Sequence, residues 1–163
     1  MTKIHAYFQA EKNESLVFIA IGTAAIICGF YFMLAINTSF YNGVGWPLLF
    51  IAVIQLAIGS YIYLRSPADE RRVMTFAKNS PKNIKNIEIP RMEKVMTQFK
   101  LYRYIEMGLL VLGLILFLMG PDEGFWKGVG LGFVIQGGLM LLADSFAENR
   151  GQNYLDFLKG TFG

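Results

Sequence analysis

The stretch Leu16–Ile36, LVFIAIGTAAIICGFYFMLAI, decides the fold of this chain. It contains no charged side chain, and its length matches the about 20 residues with which an α-helix crosses a bilayer core of roughly 30 Å. Three more apolar blocks follow it along the sequence. We therefore predict an all-α membrane protein with four transmembrane helices, at about residues 16–36, 46–64, 102–120 and 126–143.

The composition of the chain excludes several other classes of protein. Of its 163 residues, 54% are hydrophobic and 17% are charged, whereas soluble domains carry about 25% charged residues. The apolar residues are also grouped in blocks, which is not the pattern of a disordered chain, a disulfide scaffold or an ordinary soluble enzyme. Residues 1–163 are thus predicted to form a single four-helix transmembrane domain.

The basic residues indicate the orientation of the helices. Because positively charged loops stay on the cytoplasmic side of a membrane, residues 65–101 are predicted to form a basic cytoplasmic loop. Both termini, including a C-terminal tail at 144–163, are then cytoplasmic as well. The other loops are short, and we expect a bacterial inner membrane. Most of the fifteen lysines and arginines lie in one segment: Arg65, Arg71, Arg72, Lys78, Lys82, Lys85, Arg91, Lys94, Lys100 and Arg103.

Within this loop, turn and capping signals predict short helices. The motif Ser66-Pro67-Ala68-Asp69 is typical of a helix start, with serine as the N-cap and proline at the first helical position. This helix is expected to end near Lys78. Residues 83–89 are expected to form a loop or an extended piece, and Pro90 to begin a helix that continues into the third apolar block.

Two apolar clusters outside the four blocks are candidate contact surfaces. Met92, Met96 and Phe99 form a stripe at helical spacing, which is either a core contact or a surface for a partner protein. The second cluster, at residues 154–158, either lies on the membrane surface or docks onto the cytoplasmic helices of the chain or onto a partner.

An internal sequence repeat suggests a duplicated helical hairpin. The segment Phe40–Gly45, FYNGVG, matches Phe125–Gly130, FWKGVG, and Val53-Ile54-Gln55 matches Val134-Ile135-Gln136. Both hairpins would start on the same side of the membrane, so the repeat would be parallel rather than inverted.

Ionisable side chains within the apolar blocks are the candidate functional residues, because charge is costly inside a bilayer. Glu106 shares a helical face with Gly113, so it is expected to point into the bundle. Arg103 lies one turn earlier, and Asp144 should lie at a similar depth. We predict an intramembrane cluster of Arg103, Glu106 and Asp144. It is either a structural ion pair or a site that binds protons or cations.

Five further residues are predicted to form contacts between helices. Two of them are glutamines near the middle of the membrane, which commonly form hydrogen bonds across helix pairs and would line the path together with Glu106 in a channel or transporter. The others are glycines, which allow close approach of a second helix. The five residues are Gln55, Gln136, Gly113, Gly128 and Gly132.

No motif for catalysis, metal binding or a cofactor is visible. The chain has one cysteine, Cys28, and one histidine, His5, so a Cys/His metal set cannot form within it. No catalytic triad or paired-carboxylate motif occurs, and no nucleic-acid-binding motif accompanies the basic loop. We therefore expect no enzyme, no metal, no cofactor and no nucleic-acid partner.

Three functions remain compatible with the sequence. The first is a small non-enzymatic protein that binds another membrane protein, either as an immunity or protective protein against a membrane-acting toxin or as a small subunit of a membrane assembly. The second is a homo-oligomeric channel or transporter for ions or small molecules that uses Glu106. The third is a sensor whose basic loop reads lipid charge or a soluble partner. The lipid bilayer, another membrane protein and a second copy of the chain are the expected partners.

Overall fold

The computed structural model describes residues 2–163, and no strand occurs among them. Four helices are each long and apolar enough to span a membrane. This confirms the prediction of an all-α protein with four helices of membrane-spanning length. Two π-helical turns, Phe32–Ile36 and Ile84–Glu88, lie between α-helices. The α-helices are α1 Thr2–Tyr31, α2 Ser39–Asn79, α3 Pro81–Asn83, α4 Ile89–Met119 and α5 Phe125–Phe162.

The long helices extend well beyond their apolar blocks. The 41 residues of α2, at about 1.5 Å per residue, are about twice as long as a bilayer core is thick. All four extensions lie at the same end of the bundle, which we call the basic end; it comprises residues 2–15, 65–101 and 144–162. The opposite end holds the two short hairpin connections, and we call it the hairpin end.

The predicted helix start at Ser66 is wrong, whereas the predicted helix end near Lys78 and the predicted start at Pro90 agree with the end of α2 at Asn79 and the start of α4 at Ile89. Helix α2 continues through Pro67 to Asn79, and Ser66 does not cap a new helix. Its side chain is buried, and its Oγ donates a 3.0 Å hydrogen bond to the carbonyl oxygen of Phe8 on α1. A proline inside a helix removes one backbone hydrogen bond, but the packing of α2 against α1 stabilises the helical conformation here.

The expected loop at 83–89 and the expected C-terminal tail are also helical. Ile84 and Glu88 of the π-helical turn are fully buried, and this burial holds the turn against the bundle. Helix α5 runs without a break through 144–162, and its residues Tyr154 and Leu158 lie in the core of the basic end. The tail therefore docks onto the chain itself rather than lying on the membrane surface.

The four long helices form two hairpins that meet along one helix pair. Helix α1 packs along α2, α4 packs along α5, and α2 packs against α5. Helix α1 meets α5 over a shorter stretch, at the basic end, while α1 and α4 do not pack against each other along their apolar segments. The bundle is therefore open on the side between α1 and α4, which we call the α1–α4 opening.

The contact between α2 and α5 is built symmetrically from the repeated sequence. A Cβ atom added to Gly43 would collide with the carbonyl oxygen of Phe125, and one added to Gly128 would collide with the carbonyl oxygen of Phe40. Gly43 and Gly128 occupy the same place in the repeat, as do Phe40 and Phe125. Each helix thus presents the same residues to the other, and only glycine allows so close an approach.

A hydrophobic core lies at the basic end and joins all the helical extensions. It is formed by buried side chains from α1, α2, α4 and α5 and from the π-helical turn that precedes α4. The rings of Tyr7 and Tyr154 stack at its centre, with their centroids 4.0 Å apart. This core closes the bundle at the basic end. Its buried members are Ile4, Tyr7, Phe8, Val73, Ile84, Ile89, Met92, Met96, Tyr154, Leu155 and Leu158.

Candidate binding cavity between the helices

A cavity of about 860 Å³ lies between the two hairpins, and all four long helices line it. We call it the central cavity. Its volume lies within the range of about 300–1,000 Å³ that is typical of small-molecule sites. It exists because α1 and α4 do not pack against each other, so the space between the hairpins is left unfilled.

Most of the cavity wall is apolar, with aromatic side chains from every long helix. These rings are joined by isoleucine, leucine and methionine side chains. Aromatic faces favour apolar groups and also attract cations through the ring quadrupole. The aromatic residues lining the central cavity are Tyr7, Phe18, Phe50, Tyr61, Phe99, Tyr102 and Phe133.

Glu106 of α4 is the most deeply buried ionisable side chain of the cavity. It is 2% exposed, and neither of its carboxyl oxygens accepts a hydrogen bond from an N–H or hydroxyl group within residues 2–163. Helix α4 turns this face toward α5, where a Cβ atom on Gly137 would lie 3.5 Å from the carbonyl oxygen of Glu106. The carboxyl group of Asp144, on α5, lies next to that of Glu106.

The predicted cluster of Arg103, Glu106 and Asp144 forms only in part. Glu106 and Asp144 come together, but the guanidinium of Arg103 forms an ion pair with Glu148 of α5 instead. Arg103 is 46% exposed, and long basic side chains near a helix end extend toward the polar side of the membrane. The cation expected to neutralise Glu106 is therefore paired elsewhere.

The other charged groups that line the central cavity form ion pairs. Arg65 lies 3.4 Å from Glu11, and Arg150 pairs with Glu14. Both pairs lie at the basic end of the cavity, and the Arg150 guanidinium also lies over the ring of Tyr7. Within residues 2–163, Glu106 and Asp144 are thus the only charged residues of the cavity wall that form no ion pair.

The two predicted glutamines are buried but do not line the cavity. Gln136 of α5 donates a 3.4 Å hydrogen bond from Nε2 to the carbonyl oxygen of Leu48 on α2. Gln55 of α2 packs against α1 near Gly22, and neither of its amide atoms has a hydrogen-bond partner among the described residues. They lie at helix contacts rather than along a path through the membrane.

The three predicted glycines all lie at contacts within the chain. A Cβ atom on Gly113 would lie 2.8 Å from the carbonyl oxygen of Gly130, and one on Gly132 would lie 2.8 Å from that of Val44. Gly128 forms the reciprocal contact with α2 described above. These small-residue faces are therefore used to assemble the two hairpins.

The predicted partner surface on α4 faces inward. Met92 and Met96 are buried in the core of the basic end, and Phe99 packs against that core and lines the central cavity. The hydroxyl of Tyr7 donates a weak hydrogen bond to the sulfur of Met92, at 3.8 Å. The stripe was interpreted as a core contact or as a surface for a partner protein, and its burial supports the core contact.

A buried network of ion pairs lies at the basic end, and the sequence did not predict it. Glu88 is fully buried, and Arg91 donates to both of its carboxyl oxygens, at 2.9 and 2.6 Å. Arg72 of α2 lies 3.9 Å from Glu88 and 3.0 Å from Asp69. Sequence spacing suggests the Glu88–Arg91 pair, three residues apart on one helix. Nothing in the sequence indicates that Glu88 is buried, because that depends on distant helices.

The hairpin end carries a single exposed ion pair and no comparable network. Lys127 donates a hydrogen bond to Asp122, and this hydrogen bond and the positive charge lower the pKa of the Asp122 carboxyl. Among residues 2–163, no group of three or more histidine, cysteine, aspartate or glutamate side chains could hold a metal ion. The polar groups of interest are thus those of the central cavity and the basic end.

The fold thus combines four helices that could span a membrane with an internal cavity that contains two neighbouring carboxyl groups. Comparisons with known protein families, with curated proteins and with solved structures found no match to this chain.

Proposed function

We propose that the chain is a non-enzymatic integral membrane transporter that binds a small solute in the central cavity and carries it across the membrane. The observation that carries this proposal is the Glu106 carboxyl group, which is buried in the cavity wall beside the carboxyl group of Asp144 and forms no ion pair with a basic side chain within residues 2–163. Glu106 and Asp144 are the groups that bind the solute.

The energetics of Glu106 favour a binding role over a structural one. A buried negative charge without a basic partner costs more stability than the about 1–3 kcal/mol of an unpaired neutral polar group, and the acidic neighbour Asp144 supplies no positive charge to offset this cost. A structural ion pair would offset this cost with a basic side chain, but the nearest candidate, Arg103, pairs with Glu148. A bound solute that interacts with the carboxyl group would offset it instead.

The shape of the cavity favours a carrier over an open channel. One chain supplies all four helices that line it, so no oligomer is needed to form the binding site. The core around Tyr7 and Tyr154 closes the basic end, and the aromatic wall is not a continuous hydrophilic path of the kind that conducts ions. Transport would then require the bundle to open alternately to the two sides.

Uptake into proteoliposomes tests the transport proposal. Three fluorescent probes of similar size, one cationic, one neutral and one anionic, are offered to vesicles containing the wild-type protein or Glu106→Gln. We expect protein-dependent uptake of at least one probe, and loss of that uptake in Glu106→Gln. Glu93→Gln, on the exposed face of α4, is the matched control. If no probe enters faster than into protein-free vesicles, the transport proposal is wrong.

As a second candidate, we propose that the chain binds another protein, as an immunity protein or as a small subunit of a membrane assembly. The observation that favours it is a set of exposed basic side chains at the basic end that make no ion pair within residues 2–163. Such a surface attracts an acidic protein surface. The residues are Lys3, Arg71, Lys78, Lys82, Lys85, Lys94 and Lys100.

Affinity purification in mild detergent, with stoichiometry by mass spectrometry, tests the second candidate. We expect a partner at a fixed ratio that is lost in the double variant Lys82→Glu/Lys85→Glu. Lys127→Glu, at the hairpin end, is the control. Purification of the chain without any partner at a fixed ratio would contradict this candidate.

We also propose that the membrane is a bacterial inner membrane, that the basic end faces the cytoplasm, and that the two hairpins arose by duplication. The excess of basic residues at that end supports the orientation. The reciprocal contacts of Gly43 and Gly128 support the duplication, because equivalent residues of the repeat meet each other.

A further inference from the structure

We propose that the ligand of the central cavity is an amphipathic organic cation, with one positive charge on a bulky apolar body, and that it enters from the lipid through the α1–α4 opening. This inference names the substrate class of the transport function proposed above. The cation interacts with Glu106 and Asp144, and the apolar body lies against the aromatic wall.

The charge of the ligand follows from the ion pairs of the cavity. The arginines that line it, Arg65 and Arg150, are each paired with a carboxylate of α1. Glu106 and Asp144 remain, side by side and without a basic partner. Two adjacent carboxyl groups share a proton through a hydrogen bond or repel each other when both are ionised, and in both states the pair carries negative charge that a cation neutralises. An anionic ligand would meet no unpaired positive charge there.

The mainly apolar wall makes the cavity a poor binding site for a small inorganic cation. Hard cations such as Mg²⁺ and Ca²⁺ take about six to eight oxygen ligands, including water. The cavity offers two neighbouring carboxyl groups among mainly aromatic and aliphatic side chains. Rings such as those of Phe99, Tyr102 and Phe133 bury an apolar body and attract a diffuse organic cation through their faces.

The route into the cavity follows from the helix packing. At the basic end, the core around Tyr7 and Tyr154 closes the bundle. Between α1 and α4 no helix contact closes the apolar segment. Tyr102 and Ile105 of α4 line the cavity and are also 44% and 52% exposed, so the cavity wall is accessible from outside the bundle at these residues. An amphipathic molecule that partitions into the bilayer reaches the opening directly.

Equilibrium binding of two isosteric probes to the purified protein in detergent tests the inference. Tetraphenylphosphonium and tetraphenylborate share the same shape and apolar surface but carry opposite charges. We expect saturable binding of tetraphenylphosphonium to the wild type and no saturable binding of tetraphenylborate. Because hydrogen bonds and ion pairs with charged groups contribute about 1.5–3 kcal/mol, Glu106→Gln should raise the Kd for tetraphenylphosphonium by about tenfold or more.

Matched variants show whether the loss of binding is specific to the cavity. Asp144→Asn is expected to weaken binding of tetraphenylphosphonium as well. Glu93→Gln on α4 and Asp156→Asn on α5 remove exposed carboxylates from the same two helices and should leave the Kd unchanged. Size-exclusion elution and circular dichroism confirm that each variant is folded. If Glu106→Gln does not fold, Asp144→Asn carries the test.

Two outcomes would overturn the inference: equal binding of both probes, or binding of tetraphenylphosphonium that neither Glu106→Gln nor Asp144→Asn weakens. The inference and the transport proposal fail separately. Charge-selective, Glu106-dependent binding without uptake into vesicles would keep the ligand class and contradict transport. Uptake of only the neutral or anionic probe would keep transport and contradict the ligand class.

Discussion

At the scale of single residues, Glu88 and Glu106 are both buried carboxyl groups, but they have opposite surroundings. Arg91 donates two hydrogen bonds to Glu88, and Arg72 lies nearby. Glu106 forms no ion pair with a basic side chain among residues 2–163, and its neighbour Asp144 is acidic. Glu88 therefore stabilises the fold, whereas Glu106 destabilises it and is available to a ligand.

This contrast predicts different effects on stability. Glu88→Gln should lower the free energy of unfolding by about 3–5 kcal/mol, because it leaves Arg91 partly buried without its counterion. Glu93→Gln, which removes an exposed pair with Lys159, should change it by at most about 1 kcal/mol. Thermal or denaturant unfolding in detergent micelles measures both. Equal effects of the two substitutions would show that the basic-end network does not stabilise the fold.

The sequence indicated Glu106 but not Glu88, for a physical reason. A carboxyl group within an apolar block stands out because charge inside a bilayer is costly. Glu88 lies in a polar stretch rich in asparagine and lysine, where an acidic residue is ordinary. Its burial depends on Tyr154 and other residues from distant parts of the chain, and no local pattern reports such contacts.

At the scale of helices, the contact between α2 and α5 depends on glycines that touch the backbone of the partner helix. Gly128→Ala should destabilise the protein by more than about 2 kcal/mol, because its Cβ atom would overlap the carbonyl group of Phe40. Gly138→Ala, on the same helix, has no atom within 4 Å of the added Cβ. It should be neutral or stabilising by up to about 1 kcal/mol, from helix propensity alone. Unfolding midpoints in one detergent measure both; destabilisation by Gly138→Ala as large as that by Gly128→Ala would contradict this packing.

The C-terminal extension of α5 provides a second prediction at this scale. Leu158 is fully buried in the core of the basic end, so Leu158→Ala should cost about 2–5 kcal/mol. Thr161→Ala, on the exposed side of the last turn, should cost less than about 0.5 kcal/mol. Limited proteolysis should then cleave the C-terminal turns faster in Leu158→Ala. If both variants behave alike, the extension does not dock onto the chain.

The number and position of the apolar helices and the start of α4 near Pro90 could be predicted from the sequence, but the full lengths of α1, α2 and α5 could not. Hydropathy identifies a membrane-crossing segment without reference to the rest of the chain. The extensions at the basic end are amphipathic or polar, and their helical state depends on packing between distant segments. Pro67 shows this: its local signal predicts a helix start, yet α1 packs over Ser66 and α2 continues.

At the scale of the whole molecule, the orientation in the membrane predicts a labelling pattern. In a chain with Cys28→Ala, a cysteine introduced as Lys85→Cys should be protected from a membrane-impermeant maleimide in intact cells. A cysteine introduced as Glu123→Cys, at the hairpin end, should react. Opening the cells should expose the first site. The reverse pattern would place the basic end outside and contradict the proposed orientation.

The open arrangement of the two hairpins explains why a site exists at all. Because α2 and α5 form the only extensive contact between the hairpins within the described chain, α1 and α4 stay apart along their apolar segments and leave the central cavity unfilled. The sequence indicated that Glu106 faces the bundle interior, but it did not indicate the cavity. A cavity results from helix contacts that are not formed, and these have no signature in a single sequence.

The most direct test of the account is whether Glu106 is a free carboxyl group reachable from the central cavity. Dicyclohexylcarbodiimide, an apolar reagent that modifies carboxyl groups in apolar surroundings, is applied to the purified protein, and mass spectrometry locates the modified residue. We predict modification of Glu106 and protection by tetraphenylphosphonium but not by tetraphenylborate. No modification of Glu106, or modification that neither probe prevents, would contradict a cation-binding cavity around this residue.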